Sequence, residues 1–187
     1  MINSLPNIVT IIRMMASLAV PVMIMANDAE LRLAAVIIFA AAALTDWLDG
    51  YLARQLNAVS TLGRMLDPVA DKLLVAGSIL ALATADDWGM LLFIPALAIL
   101  MREVFISGLR EFMAGENFVF HVTLLAKFKT TFQLIGIGFA MATPLTPPSW
   151  QIEMVTIVLI WIAGIMTVMT GWDYLSKAMK YDSSSAS

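Results

Sequence analysis

Four aspartates carry the most chemical information in this chain. Asp46, Asp49, Asp67 and Asp71 lie within DWLDGYLARQLNAVSTLGRMLDPVADK, the segment from Asp46 to Lys72. Asp46 and Asp49 are spaced i, i+3; Asp67 and Asp71 are spaced i, i+4. Each pair therefore shares one face of a helix. Long apolar stretches flank them. A charge near a bilayer centre costs roughly 2.5–3.5 kcal/mol on insertion scales, so four of them must face a polar interior. If the two helices form an antiparallel hairpin, Asp46 is level with Asp71, Asp49 with Asp67, and Arg54 with Gly63. The four carboxylates then form one cluster about ten residues, or ~15 Å, from the loop. Four like charges at close range repel one another, and a hard divalent cation relieves this. Mg²⁺ favours carboxylates together with substrate phosphates, and Mn²⁺ suits similar sites. Two such ions a few ångströms apart are the arrangement used for in-line phosphoryl displacement. Gly50, Ala53 and Gly63 add small residues among the acids, which lets a ligand or a neighbouring helix approach the backbone. A plainer reading makes the acids structural ion pairs with Arg54, Arg64 and Lys72. Pairing alone, however, does not require four aligned carboxylates with small residues between them.

The elements that position these acids follow from composition. The chain has 187 residues, 60% hydrophobic and 13% charged, against about 25% charged in a soluble domain. That excludes an ordinary water-soluble enzyme. A net charge of −3 without a long basic run excludes a nucleic-acid partner. With no cysteine, disulfides, zinc–thiolate sites and thiol nucleophiles are excluded, and the one histidine, His121, rules out a histidine-rich metal site. A membrane-crossing helix needs roughly 20 apolar residues. Six stretches qualify: Ile8 to Ala26, Leu31 to Leu52, Leu62 to Ala83, Met90 to Phe112, Val122 to Ala142 and Ile152 to Leu175. The expected fold is an all-α integral membrane protein with six transmembrane helices, a single catalytic domain over residues 1–180. The Ser-rich stretch 181–187 is expected to be a disordered tail.

Charge placement orients the helices. Six spans put both termini on one side, together with every Lys and Arg except Arg32. The positive-inside rule makes that side cytoplasmic. The polar active-site cavity is therefore expected near the cytoplasmic face. Trp88, Trp150 and Trp172 sit near span ends as interface anchors.

The same segment matches D-x-x-D-G-x-x-A-R-x(8)-G-x-x-x-D-x-x-x-D at every fixed position, and so resembles the signature of the CDP-alcohol phosphatidyltransferases. The six-span length is also similar to this family. The resemblance implies transfer of a phosphatidyl group from CDP-diacylglycerol to an alcohol, with release of CMP, in a bacterial cytoplasmic membrane. It implies that Asp46, Asp49, Asp67 and Asp71 bind two Mg²⁺ or Mn²⁺ ions and that Asp71 is also the general base. Gly50, Ala53 and Arg54 resemble positions that hold the cytidine nucleotide, with Asp49 and Gly63 beside them. A homodimer is implied by resemblance alone.

The acceptor has a second line of argument. Arg102, Arg110, Lys127 and Lys129 gather on the cytoplasmic half, which attracts a phosphorylated acceptor and repels a cationic one. MREVFISGLREFMA (101–114) and KFKTTFQ (127–133) are similar to the branch of the family whose acceptor is glycerol 3-phosphate. That resemblance assigns the acceptor phosphate to Arg110 and Lys127, with Lys129 next. LPNIVTIIR (5–13) is similar to the same branch and places Asn7, Thr10 and Arg13 on the nucleotide side. Taken singly, each basic residue could instead be a snorkelling anchor. Arg102 could pair with a carboxylate, and Glu103 and Glu111 are read as counter-charges without chemistry. Two other functions fit the acids: the same reaction with inositol phosphate, serine or a phosphatidyl lipid as acceptor, and a divalent-cation transporter. The apolar outward halves of the spans argue against a through-path.

Overall fold

The computed structural model describes the backbone of residues 5–56, 61–86, 88–116, 118, 120 and 123–185, and their side chains except at 5–8, 46–56, 61–65 and 182–185. Six α-helices account for most of it: α1 (Leu5–Met25), α2 (Ala29–Leu56), α3 (Thr61–Ala85), α4 (Met90–Gly115), α5 (Leu124–Ala142) and α6 (Ile152–Ser185). Two single-turn 3-10 helices, Thr143–Leu145 and Pro148–Trp150, join α5 to α6. No strand occurs among the described residues. The helices fall on the six apolar stretches. Residues 66–85, 90–115 and 152–181 are long and apolar enough to cross a membrane, and residues 9–25 form a shorter apolar helix. The chain is thus an all-helical integral membrane protein. Its exposed side chains agree: Ile12, Met15, Leu18 and Val22 form an outward ridge on α1, each at least 60% exposed. Such a ridge suits lipid rather than water.

α6 differs from expectation at its end. It continues to Ser185, past the apolar run and into the stretch read as tail. Two features extend it. Asp173 and Lys177 pair at 2.7 Å one turn apart. Tyr174, Ala178 and Tyr181 pack with Ile106, Met113, Phe118 and Phe120 in an aromatic cluster, and Tyr181 donates its hydroxyl to the Glu116 carbonyl at 2.9 Å.

Two compact units divide the chain: Met1–Trp88 with Ile137–Thr156, and Gly89–Gly136 with Ile157–Ser187. In the first, α1 packs along α3 and also against α2. The approach of α1 to α3 is set by Gly77, where an added Cβ would stand 2.7 Å from the Pro21 ring and 3.4 Å from the Ser17 carbonyl oxygen. The two helices run parallel, because Thr10 lies at Asp67 and Pro21 at Gly77. Asn27 turns the chain between α1 and α2 with φ 52°, a left-handed conformation that asparagine tolerates. Asp28 then accepts the Leu31 amide at 2.9 Å and caps α2. At this end Arg32 is buried and ties several elements together. It pairs with Asp86 at the end of α3 and donates to the Met141 carbonyl at 3.0 Å and the Ile24 carbonyl at 3.4 Å. A cation against helix C-termini is favourable.

In the second unit α4 and α6 meet at Gly164, where a Cβ would lie 2.8 Å from Pro95 Cβ. Trp161 donates to the Leu91 carbonyl at 2.9 Å. α5 approaches α6 at Gly136, against Ile160.

Candidate active site

Asp67 and Asp71 lie one turn apart near the start of α3, on one face, as their spacing requires. Pro68 sits between them inside the helix. Both acids keep access to solvent, with side chains 43% and 42% exposed, whereas Arg13 is only 3% exposed. Arg13 Nη1 stands 3.7 Å from Asp67 Oδ1 and 3.6 Å from Asp71 Oδ1. Thr10, one turn earlier on α1, donates its hydroxyl to the same Asp67 oxygen at 2.6 Å. α1 can deliver both groups because Thr10, Arg13 and Ser17 recur on its buried face, opposite the lipid-facing ridge.

The remaining acids and nucleotide-side residues are placed by backbone only. Asp46, Asp49, Gly50, Ala53 and Arg54 lie in the last three turns of α2, and Gly63 opens α3. Asn7 belongs to the first turn of α1. The side-chain roles expected for Asp46, Asp49, Arg54 and Asn7, and the close approach expected at Gly50, Ala53 and Gly63, fall outside the described residues. The half that is described fits a hard divalent cation. Asp67 and Asp71 offer oxygen donors on one helix face, with open flanks for water and phosphate oxygens.

The residues expected to hold the acceptor phosphate all belong to the second unit. Arg110 is exposed near the end of α4 and Lys127 is exposed in the first turn of α5. Neither makes an ion pair among the described residues. Lys129 differs sharply: it is 2% exposed and pairs with Glu103 of α4. Lys127 and Lys129 are two positions apart, so they point about 200° away from one another around α5. The Glu103 carboxylate also takes Arg102 Nη1 at 3.4 Å. The Arg102 guanidinium lies 5.6 Å from the centre of the Tyr174 ring, within cation–π range. Close by on α6, Gly171 leaves room for the Arg102 stem, 3.4 Å from the position of an added Cβ.

Two connections were not legible in the sequence. One is the identity of the partners of Glu103, which spacing marked only as a counter-charge and which pairs with buried Lys129 and partly buried Arg102. The other is the double contact of Arg13. Its only sequence signal was a charged residue in an apolar helix with Thr10 three positions before it.

Comparison with known proteins agrees with this architecture. Residues 3–169 match the family model of the CDP-alcohol phosphatidyltransferases. The CDP-diacylglycerol--glycerol-3-phosphate 3-phosphatidyltransferase of Rickettsia bellii is 38% identical over 182 residues, covering 96% of this chain and 97% of that protein. The protein of the same name from Cereibacter sphaeroides is 34% identical, with 95% and 96% covered. That from Shigella flexneri is 41% identical over 148 residues, 78% of each chain. With paired acids on one helix face, an all-helical apolar fold and a family match over most of its length, the chain belongs to the CDP-alcohol phosphatidyltransferases.

Proposed function

We propose that the chain transfers the phosphatidyl group of CDP-diacylglycerol to the primary hydroxyl of glycerol 3-phosphate, releasing CMP and forming phosphatidylglycerophosphate. The observation that carries this reading is the pair Asp67 and Asp71, open on one side and braced by Thr10 and Arg13 on the other. Relatives that share almost the full length of the chain carry the name of this reaction.

Each group then has a task. Asp71 accepts the proton of the acceptor hydroxyl as that oxygen attacks the β-phosphorus. The bond from that phosphorus to the bridging oxygen breaks, and CMP leaves with the electron pair. Asp46, Asp49, Asp67 and Asp71 hold the divalent cations on which this family depends, a pair of Mg²⁺ or Mn²⁺ ions that would offset the charge of the pyrophosphate. Gly50, Ala53 and Gly63 let the cytidine nucleotide approach the backbone, with Asn7 on the same side. Arg54 supplies a planar fork for phosphate. Arg110 and Lys127 take the acceptor phosphate as exposed cations, and Lys129 contributes from its pair with Glu103. The positive-inside distribution orients this site toward the cytosol from a bacterial cytoplasmic membrane. The homodimer implied by the family belongs to the same reading.

Supplying purified protein with CDP-diacylglycerol and a panel of acceptors tests it. CMP release is expected with glycerol 3-phosphate and Mg²⁺ or Mn²⁺, and not after chelation. Turnover with serine or inositol phosphate but not glycerol 3-phosphate would overturn the choice of acceptor. Cation flux into vesicles without CMP release would favour transport.

A further inference from the structure

Arg13 puts a charge where a charge is costly. It sits on an apolar helix, 3% exposed, yet its guanidinium faces two carboxylates of the neighbouring helix at 3.6–3.7 Å. Thr10 adds a hydroxyl to the same Asp67 oxygen. A buried guanidinium needs one carboxylate for its own compensation. Arg13 instead spans both acids that the family motif contributes from α3, and it does so from their buried side. Their side chains remain 43% and 42% exposed. The acids are thus held at a fixed separation before any cation arrives, and the positive charge remains beside them afterwards.

We propose that Arg13 is a positioning and charge-balancing residue of the cation site: it offsets the repulsion between Asp67 and Asp71, moderates their affinity for divalent cations, and leaves a positive charge that favours the anionic pyrophosphate of the donor. This rests on the reading of Asp67 and Asp71 as cation ligands. It has a consequence of two signs. Without Arg13 the acids form a more negative site that holds cations more tightly. The anionic donor, having lost a nearby positive charge, binds less well. A side chain that only braced α1 against α3 would weaken both on removal. Thr10 has the lesser, neutral part of the same task, since a hydroxyl orients Asp67 without changing the charge.

The test uses the full chain purified in lipid nanodiscs. Mn²⁺ binding is followed without substrate by the electron paramagnetic resonance signal of the unbound ion, and the donor KM is then measured at saturating Mn²⁺. Arg13→Met is expected to lower the Kd for Mn²⁺ at least about fivefold and to raise the donor KM at least about tenfold. Arg13→Lys keeps the charge and is expected to stay within about twofold of the parent Kd. Asp71→Asn in the same titration checks the underlying assignment, and weaker Mn²⁺ binding is expected. If Asp71→Asn weakens binding while Arg13→Met leaves it unchanged or weaker, the role of Arg13 is overturned and the cation site stands. If Asp71→Asn leaves Mn²⁺ binding unchanged, the cation assignment itself falls. Should Arg13→Met not yield a monodisperse protein, Arg13→Gln carries the same two-signed expectation with a polar side chain in place.

Discussion

Asp71 and Asp67 share a helix face and, in the proposed reaction, a cation. Asp67 takes the Thr10 hydroxyl as well as Arg13, so one of its oxygens is doubly engaged. In the proposed reaction Asp71 is the acid that receives the proton. Replacing it with asparagine keeps the shape and removes the base. Turnover is expected to fall by about 10²–10⁴-fold, with donor binding in an equilibrium assay changed far less. A loss of donor binding as large as the loss of turnover would mean that Asp71 binds rather than acts. Arg110 offers the complementary case. It is exposed and makes no ion pair among the described residues, so its removal opens no buried defect. Arg110→Ala is expected to raise the KM for glycerol 3-phosphate roughly tenfold or more, with kcat near the parent value. An unchanged acceptor KM would move the phosphate elsewhere. Lys129 cannot be read in the same way, because it is itself buried and its loss would also take one of two cations from the partly buried Glu103.

The helices decide how far such side chains can be trusted to stay in place. α1 and α3 approach through Gly77, where even a methyl group would meet the Pro21 ring at 2.7 Å. Gly77→Ala is expected to cost about 1–3 kcal/mol by overpacking, read as a lower Tm, and to reduce activity because the seam that carries Arg13 to the acids is pushed apart. A variant with parent Tm and parent activity would show that the seam gives way without consequence. Existence and order of the six helices were legible because apolar runs of the required length are separated by Asn27–Glu30, Pro144–Ser149 and similar breaks. The face shared by Asp67 and Asp71 was legible from their spacing alone. The approach of α1 to that face was not. Spacing sets the α2 acids level with Asp67 and Asp71, a reading that falls outside the described side chains, but it carries no signal for Thr10 and Arg13 of α1. Non-local packing is set by small-residue approaches such as Gly77 to Pro21, and a single glycine in a sequence does not announce its partner. The end of α6 was missed for a related reason. Apolar counting stops at Leu175, while the helix is carried onward by Tyr174, Ala178 and Tyr181 through contacts with residues far away in sequence.

For the molecule as a whole, the absence of cysteine is an experimental advantage. Single cysteines at Lys177 and at Glu153 report sidedness with no background. Lys177→Cys is expected to react only with a reagent that reaches the cytosolic side, and Glu153→Cys only from the opposite side. The reverse pattern would turn the active site away from the cytosol. A final consequence comes from the way α1 meets α3. Towards Pro21 the join is greasy and dry; towards Thr10 it is ionic and wetted by half-open carboxylates. Salt acts on the second kind of bond and scarcely on the first. Raising the salt concentration should therefore loosen this junction from one end, so that amide exchange quickens around Thr10 and Arg13 while the stretch beside Gly77 keeps its protection.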